Sequence, residues 1–188
     1  LIMVNSPLNP IGRVFDRAEL ELLAQFLERY DAYAVCDEVY EHLVFDGRAH
    51  VPLISLPGMR ERCVRVSSAG KMFSLTGWKI GWIAGPKRLI QTIAKAHQFN
   101  TFTTSPALQI GVAHGLMHEM EFALENARQL QRKRDLIGGA LAAAGFDVRP
   151  SEGTYFITTS IRGLTNEPDQ EFCKRMTREA GITPIPLS

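Results

Sequence analysis

Apolar residues recur along this chain in two rhythms, short unbroken runs and helical stripes. Leu1-Ile2-Met3-Val4, Ala32 to Cys36 and Cys63-Val64-Arg65-Val66 are runs of strand length bounded by turn residues, so they read as buried strands. Between the first two, Asp16 and Glu19 make a capping box ahead of Leu20, Leu23, Leu27 and Tyr30, which line one face of a helix. Gly81 to Pro86 reads as a further strand closed by a turn. Helical patterning then takes over from Lys87 to about Gln98 and from about Pro106 to Gly145, with breaks allowed near Gly115 and Gly138. Val148 and Tyr155-Phe156-Ile157 suggest short strands, Asp169 to Ala180 a helix, and Ile182 to Ser188 another strand or its exit. Strand and helix signals that alternate in this way predict an α/β fold, a largely parallel sheet flanked by helices. A change of composition along the long helical stretch divides the chain into residues 1–129 and a smaller part, 130–188.

Composition narrows the function. Hydrophobic residues make up 45% of the chain and the formal net charge is +1, as in a globular enzyme. Basic residues are interleaved with acids, as in Glu28-Arg29 and Arg178-Glu179, which argues against a nucleic-acid partner. The run Arg128, Arg132, Lys133 and Arg134 reads as a solvated helix face. No apolar run approaches the length of a membrane span. Cys36, Cys63 and Cys173 lie within apolar patterns, so reduced, partly buried thiols and a cytoplasmic location are expected. The first residues start inside a strand pattern, and the chain reads as a fragment.

The candidate chemistry centres on Lys71. The run Ser67-Ser68-Ala69-Gly70-Lys71-Met72-Phe73-Ser74-Leu75-Thr76-Gly77-Trp78-Lys79 surrounds one amine with small residues and hydroxyls, as a Schiff-base lysine requires. Such an amine turns nucleophilic when burial or a nearby cation lowers its pKa, and Lys79 supplies a cation eight residues on. Lys71 follows a strand pattern and Asp37 ends another, which puts both on the edge where open α/β sheets hold ligands. Other candidates are weaker. His114 and His118, four apart on a predicted helix with Glu121 nearby, could share a face, but no third zinc ligand of convincing spacing follows, so no metal site is expected. Gly77, Gly81 and Gly85 lack the strand, loop and helix order of a dinucleotide site. Tyr155 and Phe156 suit either a substrate wall or core packing.

Three motifs in order carry a resemblance. Asn5-Ser6-Pro7-Leu8-Asn9-Pro10-Ile11-Gly12, Asp37-Glu38-Val39-Tyr40, and Ser68-Ala69-Gly70-Lys71 with Thr76-Gly77-Trp78-Lys79-Ile80-Gly81-Trp82 resemble the fold-type I, class I/II aminotransferases that use pyridoxal phosphate (PLP). The wording of the third is most similar to the kynurenine, glutamine–phenylpyruvate and methionine aminotransferase branch. The resemblance implies an aspartate-aminotransferase-like fold, a mostly parallel sheet with the Gly81 to Pro86 segment running antiparallel and part of a smaller α+β C-terminal domain. It implies an enzyme, assembled as a homodimer, that moves an amino group between an amino acid (glutamine, methionine, an aromatic residue or kynurenine) and a 2-oxo acid. Lys71 would bind PLP and act as acid and base, Asp37 would hold the ring-nitrogen proton, and Asn9 and Tyr40 would reach the ring's phenolic oxygen. Val39 would press on the ring, while Ser68 and Lys79 would take the phosphate, Lys79 standing where the broader family has arginine. Thr103, Thr104 and Ser105 would reach the neighbouring subunit's phosphate. Taken alone, Asp37 is equally a turn acid, Asn9 a turn residue and Tyr40 a core ring. The motifs suit a PLP-dependent carbon–sulfur lyase or cyclising synthase as well, and a non-catalytic fragment stays open. The segments that in the family stack on the ring and clamp the substrate carboxylate are not in this sequence, so the 188-residue chain alone is expected to be inactive.

Overall fold

A computed structural model describes all 188 residues. Three strands, β1 (Ile2–Asn5), β2 (Ala34–Asp37) and β3 (Cys63–Ser68), run parallel, and β4 (Gly81–Ala84) pairs antiparallel with β3 at the sheet's edge. β1 and β2 are joined by α1 (Arg17–Arg29), whose capping box forms as the sequence predicts: Asp16 accepts from the Glu19 N–H at 2.9 Å, and Glu19 accepts from the Asp16 N–H at 3.0 Å. Leu20, Ala24 and Leu27 bury against Val4, Ala34, Cys36 and Cys63, and the 53–63 segment covers the same core with Leu53, Leu56 and Met59. Tyr30 lies outside this stripe. It caps α1 and stays exposed, stacked on Phe26.

Beyond β3 come α2 (Ala69–Met72), a single turn, and after β4 the helices α3 (Lys87–Asn100), α4 (Pro106–His118) and α5 (Met120–Ala143). Ala69, Met72, Phe73, Ile80, Val112 and Ala123 form a second apolar cluster that seats α4 and α5 beside the Lys71 turn. The break between these helices falls at Glu119, not at Gly115 or Gly138. Gly115 stays helical inside α4, and the Phe73 ring packs 3.4 Å from where its Cβ would be, an ordinary contact distance.

A small antiparallel pair, β5 (Asp147–Val148) with β6 (Thr159–Ser160), and α6 (Asp169–Glu179) complete the fold. Tyr155-Phe156-Ile157 is not a strand, because Thr154 before it has a positive φ of 71° that breaks the extended path. Ile182 to Ser188 is also not a strand. It runs back to α6, where the Leu187 and Ser188 N–H groups donate to Asp169 at 2.9 Å. Cys36 and Cys63 are buried free thiols on neighbouring strands, and Cys173 is half-buried. No helix is long and apolar enough to cross a membrane.

Candidate active site

Strand register assembles the site. Asn5 pairs with Asp37 and Asp37 with Val66, so the ends of all three parallel strands fall on one edge. The loop after β1 is tied to that edge: the Asn5 side chain donates to the Asp37 carbonyl at 2.9 Å and accepts from the Asn9 N–H at 2.9 Å. Asn5 belongs to the first motif but was not singled out by its sequence.

β3 runs directly into the turn that carries Lys71. The Ala69 N–H bonds the Ile80 carbonyl at 3.1 Å, and the Thr76 hydroxyl bonds the Gly70 carbonyl at 3.1 Å, so the 69–80 loop closes on itself. Gly70 is required here, since a Cβ would sit 3.0 Å from the Thr76 Cα. Ser68 pairs with Gly81 across the sheet, which brings Lys79, two residues earlier, to the same end; Lys79 is exposed and left-handed at φ 55°.

The Lys71 amine donates to the Tyr155 hydroxyl at 2.7 Å and lies 5.6 Å from the centre of the Tyr40 ring. Tyr40 and Tyr155 meet edge to face at 5.3 Å. Tyr40 is only 2% exposed, and burial, the Tyr155 hydroxyl and the Asp37 carboxylate all push its phenol well above the usual range. Asp37 is therefore near enough to act on Tyr40 through its charge. Its Oδ1 also accepts from the Val39 N–H at 3.4 Å, and Val39 packs with Tyr40, Leu43 and Phe156.

Thr103, Thr104 and Ser105 lie in the α3–α4 connection, where the Thr103 hydroxyl donates to the adjacent Thr104 carbonyl and the Gln109 side chain reaches back to the same carbonyl. His114 and His118 stack at 4.7 Å on one face of α4, and no group of three metal-ligating side chains gathers there.

One polar group escaped the sequence reading. Glu38 is 3% exposed, accepts from Arg65 Nε at 2.6 Å and lies 3.0 Å from His50 Nε2, while Arg65 also pairs with Glu41. Its signal was the arginine inside the apolar run of β3. A charge in a buried strand needs a buried partner.

The family profile of aminotransferase class I and II matches residues 1–188. The chain belongs to the class I and II aminotransferases. The family is PLP-dependent, and the aspartate-aminotransferase-like fold follows from solved structures. Residues 1–188 are similar to a probable N-succinyldiaminopimelate aminotransferase of Mycobacterium tuberculosis, 38% identical over 187 residues that cover 100% of this chain and 47% of the relative. A solved structure of N-succinyldiaminopimelate aminotransferase from that organism superposes with a TM-score of 0.95 over 98% of this chain and 48% of the other. The methionine aminotransferase of Escherichia coli is 36% identical over 188 residues, 100% of this chain and 49% of the relative. Kynurenine–oxoglutarate transaminase 1 of Homo sapiens is 35% identical over 205 residues, again 100% of this chain and 49% of the relative. This aminotransferase chain thus spans about half the length of the curated relatives it matches.

Proposed function

We propose that this protein is a PLP-dependent aminotransferase that exchanges an amino group between an amino acid and a 2-oxo acid, working as a homodimer in the cytoplasm. The observation that carries this reading is the Lys71 amine beside the Tyr40 ring at the strand-end edge that also holds Asp37. An amine, a phenol, a carboxylate, a hydroxyl and a second ammonium on one edge suit a ligand with an aldehyde, a protonated ring nitrogen and a phosphate. When bound, PLP supplies the aldehyde that captures an amino group and a ring that withdraws electrons from the substrate Cα.

Each residue has a separate task in this reading. Lys71 anchors the cofactor through its amine and, once displaced by the substrate amine, carries the proton to and from the substrate Cα. Asp37 holds the ring-nitrogen proton. Tyr40 and Asn9 donate to the phenolic oxygen, and Val39 bears on the ring face. Ser68 and Lys79 hold the phosphate, Lys79 as a point charge without the fork of an arginine. Thr103, Thr104 and Ser105 reach toward the partner subunit's phosphate. Residues 1–129 belong to the cofactor domain and 130–188 to a smaller domain, with α5 crossing between them.

The relatives' names point to methionine, kynurenine and N-succinyldiaminopimelate as donors to test, with glutamine and the aromatic amino acids alongside. Borohydride reduction of the PLP-loaded full-length protein, followed by peptide mass mapping, is expected to place the cofactor on Lys71. Lys71→Ala should abolish both the adduct and transamination. An adduct on any other lysine overturns the assignment.

A further inference from the structure

Tyr155 is delivered to Lys71 by a backbone that L side chains rarely adopt. Thr154, just before it, is β-branched and fully buried, with φ at 71°. A conformation of this kind persists only where the surroundings over-determine it. They do so here. The Thr154 N–H donates to the Leu43 carbonyl at 2.8 Å, and its hydroxyl accepts from the Phe156 N–H at 3.2 Å. Gly153 sits so near the Leu43 carbonyl that a Cβ would come within 2.6 Å of it. Glu152 is bonded on both sides, its N–H to the Gly12 carbonyl at 2.8 Å and its own carbonyl to the Phe45 N–H at 2.9 Å. The strap 151–154 is thus sewn between two loops, and the next side chain in the sequence has its hydroxyl on the Lys71 amine.

Core packing accounts for the ring of Tyr155, which touches Tyr40 and Phe156, but not for its hydroxyl. The residue is 45% exposed, so burial did not force the contact. We propose that Tyr155 is a positioning residue for Lys71: its hydroxyl holds the free amine over the Tyr40 ring whenever that amine is not bound to cofactor. This rests on the reading of Lys71 as the cofactor lysine. The Tyr155 oxygen takes one N–H of the Lys71 nitrogen and leaves its other positions open, so the contact orients the group without consuming it. Burial acts to raise the Tyr155 phenol, but hydrogen bonds from Lys71 on α2 and from Tyr40 after β2 outweigh it, and its pKa lies below the ordinary value. Asp37 enters only through its effect on Tyr40.

Tyr155→Phe in the full-length protein keeps the ring and the strap and deletes only the hydroxyl. Borohydride should still place PLP on Lys71. Losing one hydrogen bond to the amine should lower kcat about tenfold while KM for the amino donor moves less than about twofold. In cofactor-free protein, followed by tyrosine absorbance against pH, the titration that Tyr155→Phe deletes should move to higher pH in Lys71→Met. An unchanged kcat in Tyr155→Phe, or an unmoved tyrosine titration in Lys71→Met, overturns the proposal. A wild-type adduct on a different lysine would instead remove the Lys71 assignment beneath it.

Discussion

Asp37 and Glu38 are consecutive carboxylates, and only Glu38 is buried against an arginine and a histidine. Arg65 and His50 both lie on its Oε2, so truncating it leaves Arg65 with Glu41 alone and His50 with no partner on either ring nitrogen. Breaking a buried ion pair costs roughly 3–5 kcal/mol, and the loss in Glu38→Ala is expected near the lower end because Arg65 still reaches water. Urea denaturation measures it. A loss below about 1 kcal/mol, the range of exposed pairs, would show that Glu41 satisfies Arg65 unaided. Asp37→Ala should behave differently, retaining the fold while losing most turnover, because its proposed partner is the cofactor. At this scale the placing of Lys71, Asp37 and Tyr40 near one strand-end edge was legible in advance, since short motifs carry them. The Glu38 network was not, because His50 and Arg65 reach it from other segments.

Between elements, the arginine run on α5 supplies a clamp that its sequence disguised as a solvated face. Arg134 donates twice to Asp46, at 2.6 and 2.7 Å, and once to the Ser151 carbonyl at 2.7 Å, tying α5 to the loop after β2 and to the strap. The hydrogen bond from Arg134 holds the Asp46 carboxyl below its ordinary value of 3.8. A depressed carboxylate contributes stability that is complete above the unfolded pKa and is lost as pH falls through the folded one. Asp46→Asn should therefore flatten the acid limb of a plot of melting temperature against pH below about pH 4, leaving neutral values less affected. An acid limb identical to wild type would mean that the clamp contributes nothing. The sheet edge offers a second test. A Cβ on Gly81 would meet the Ser67 carbonyl oxygen at 2.7 Å, so Gly81→Ala should force β4 off β3, at a cost of about 1–3 kcal/mol.

Across the whole molecule, large apolar side chains stay in water along α3 and α4. Phe99, Phe102, Ile110 and Met117 are each more than two-thirds exposed. The proposed homodimer predicts that the full-length protein sediments at twice its chain mass. Sedimentation at a single chain mass across the micromolar range would count against it. Thr103, Thr104 and Ser105 lie between two of these residues, so loss of the dimer and loss of phosphate affinity should occur together.

Local sequence determined the order of strands and helices, the capping box at Asp16, and the placing of Asp37 and Lys71 at strand ends, because periodicity and turn chemistry act over a few residues. It also carried the family, through three motifs whose spacing the parallel register turns into a shared edge. Only the tertiary structure decided which distant groups meet. Lys71 and Tyr155 are 84 residues apart, and Arg134 and Asp46 are 88. The break at Glu119 appears only there too: α4 runs helical through Gly115 and ends at His118. Contacts of this kind depend on how the 151–154 strap threads between two loops, and no window of neighbouring residues contains that path.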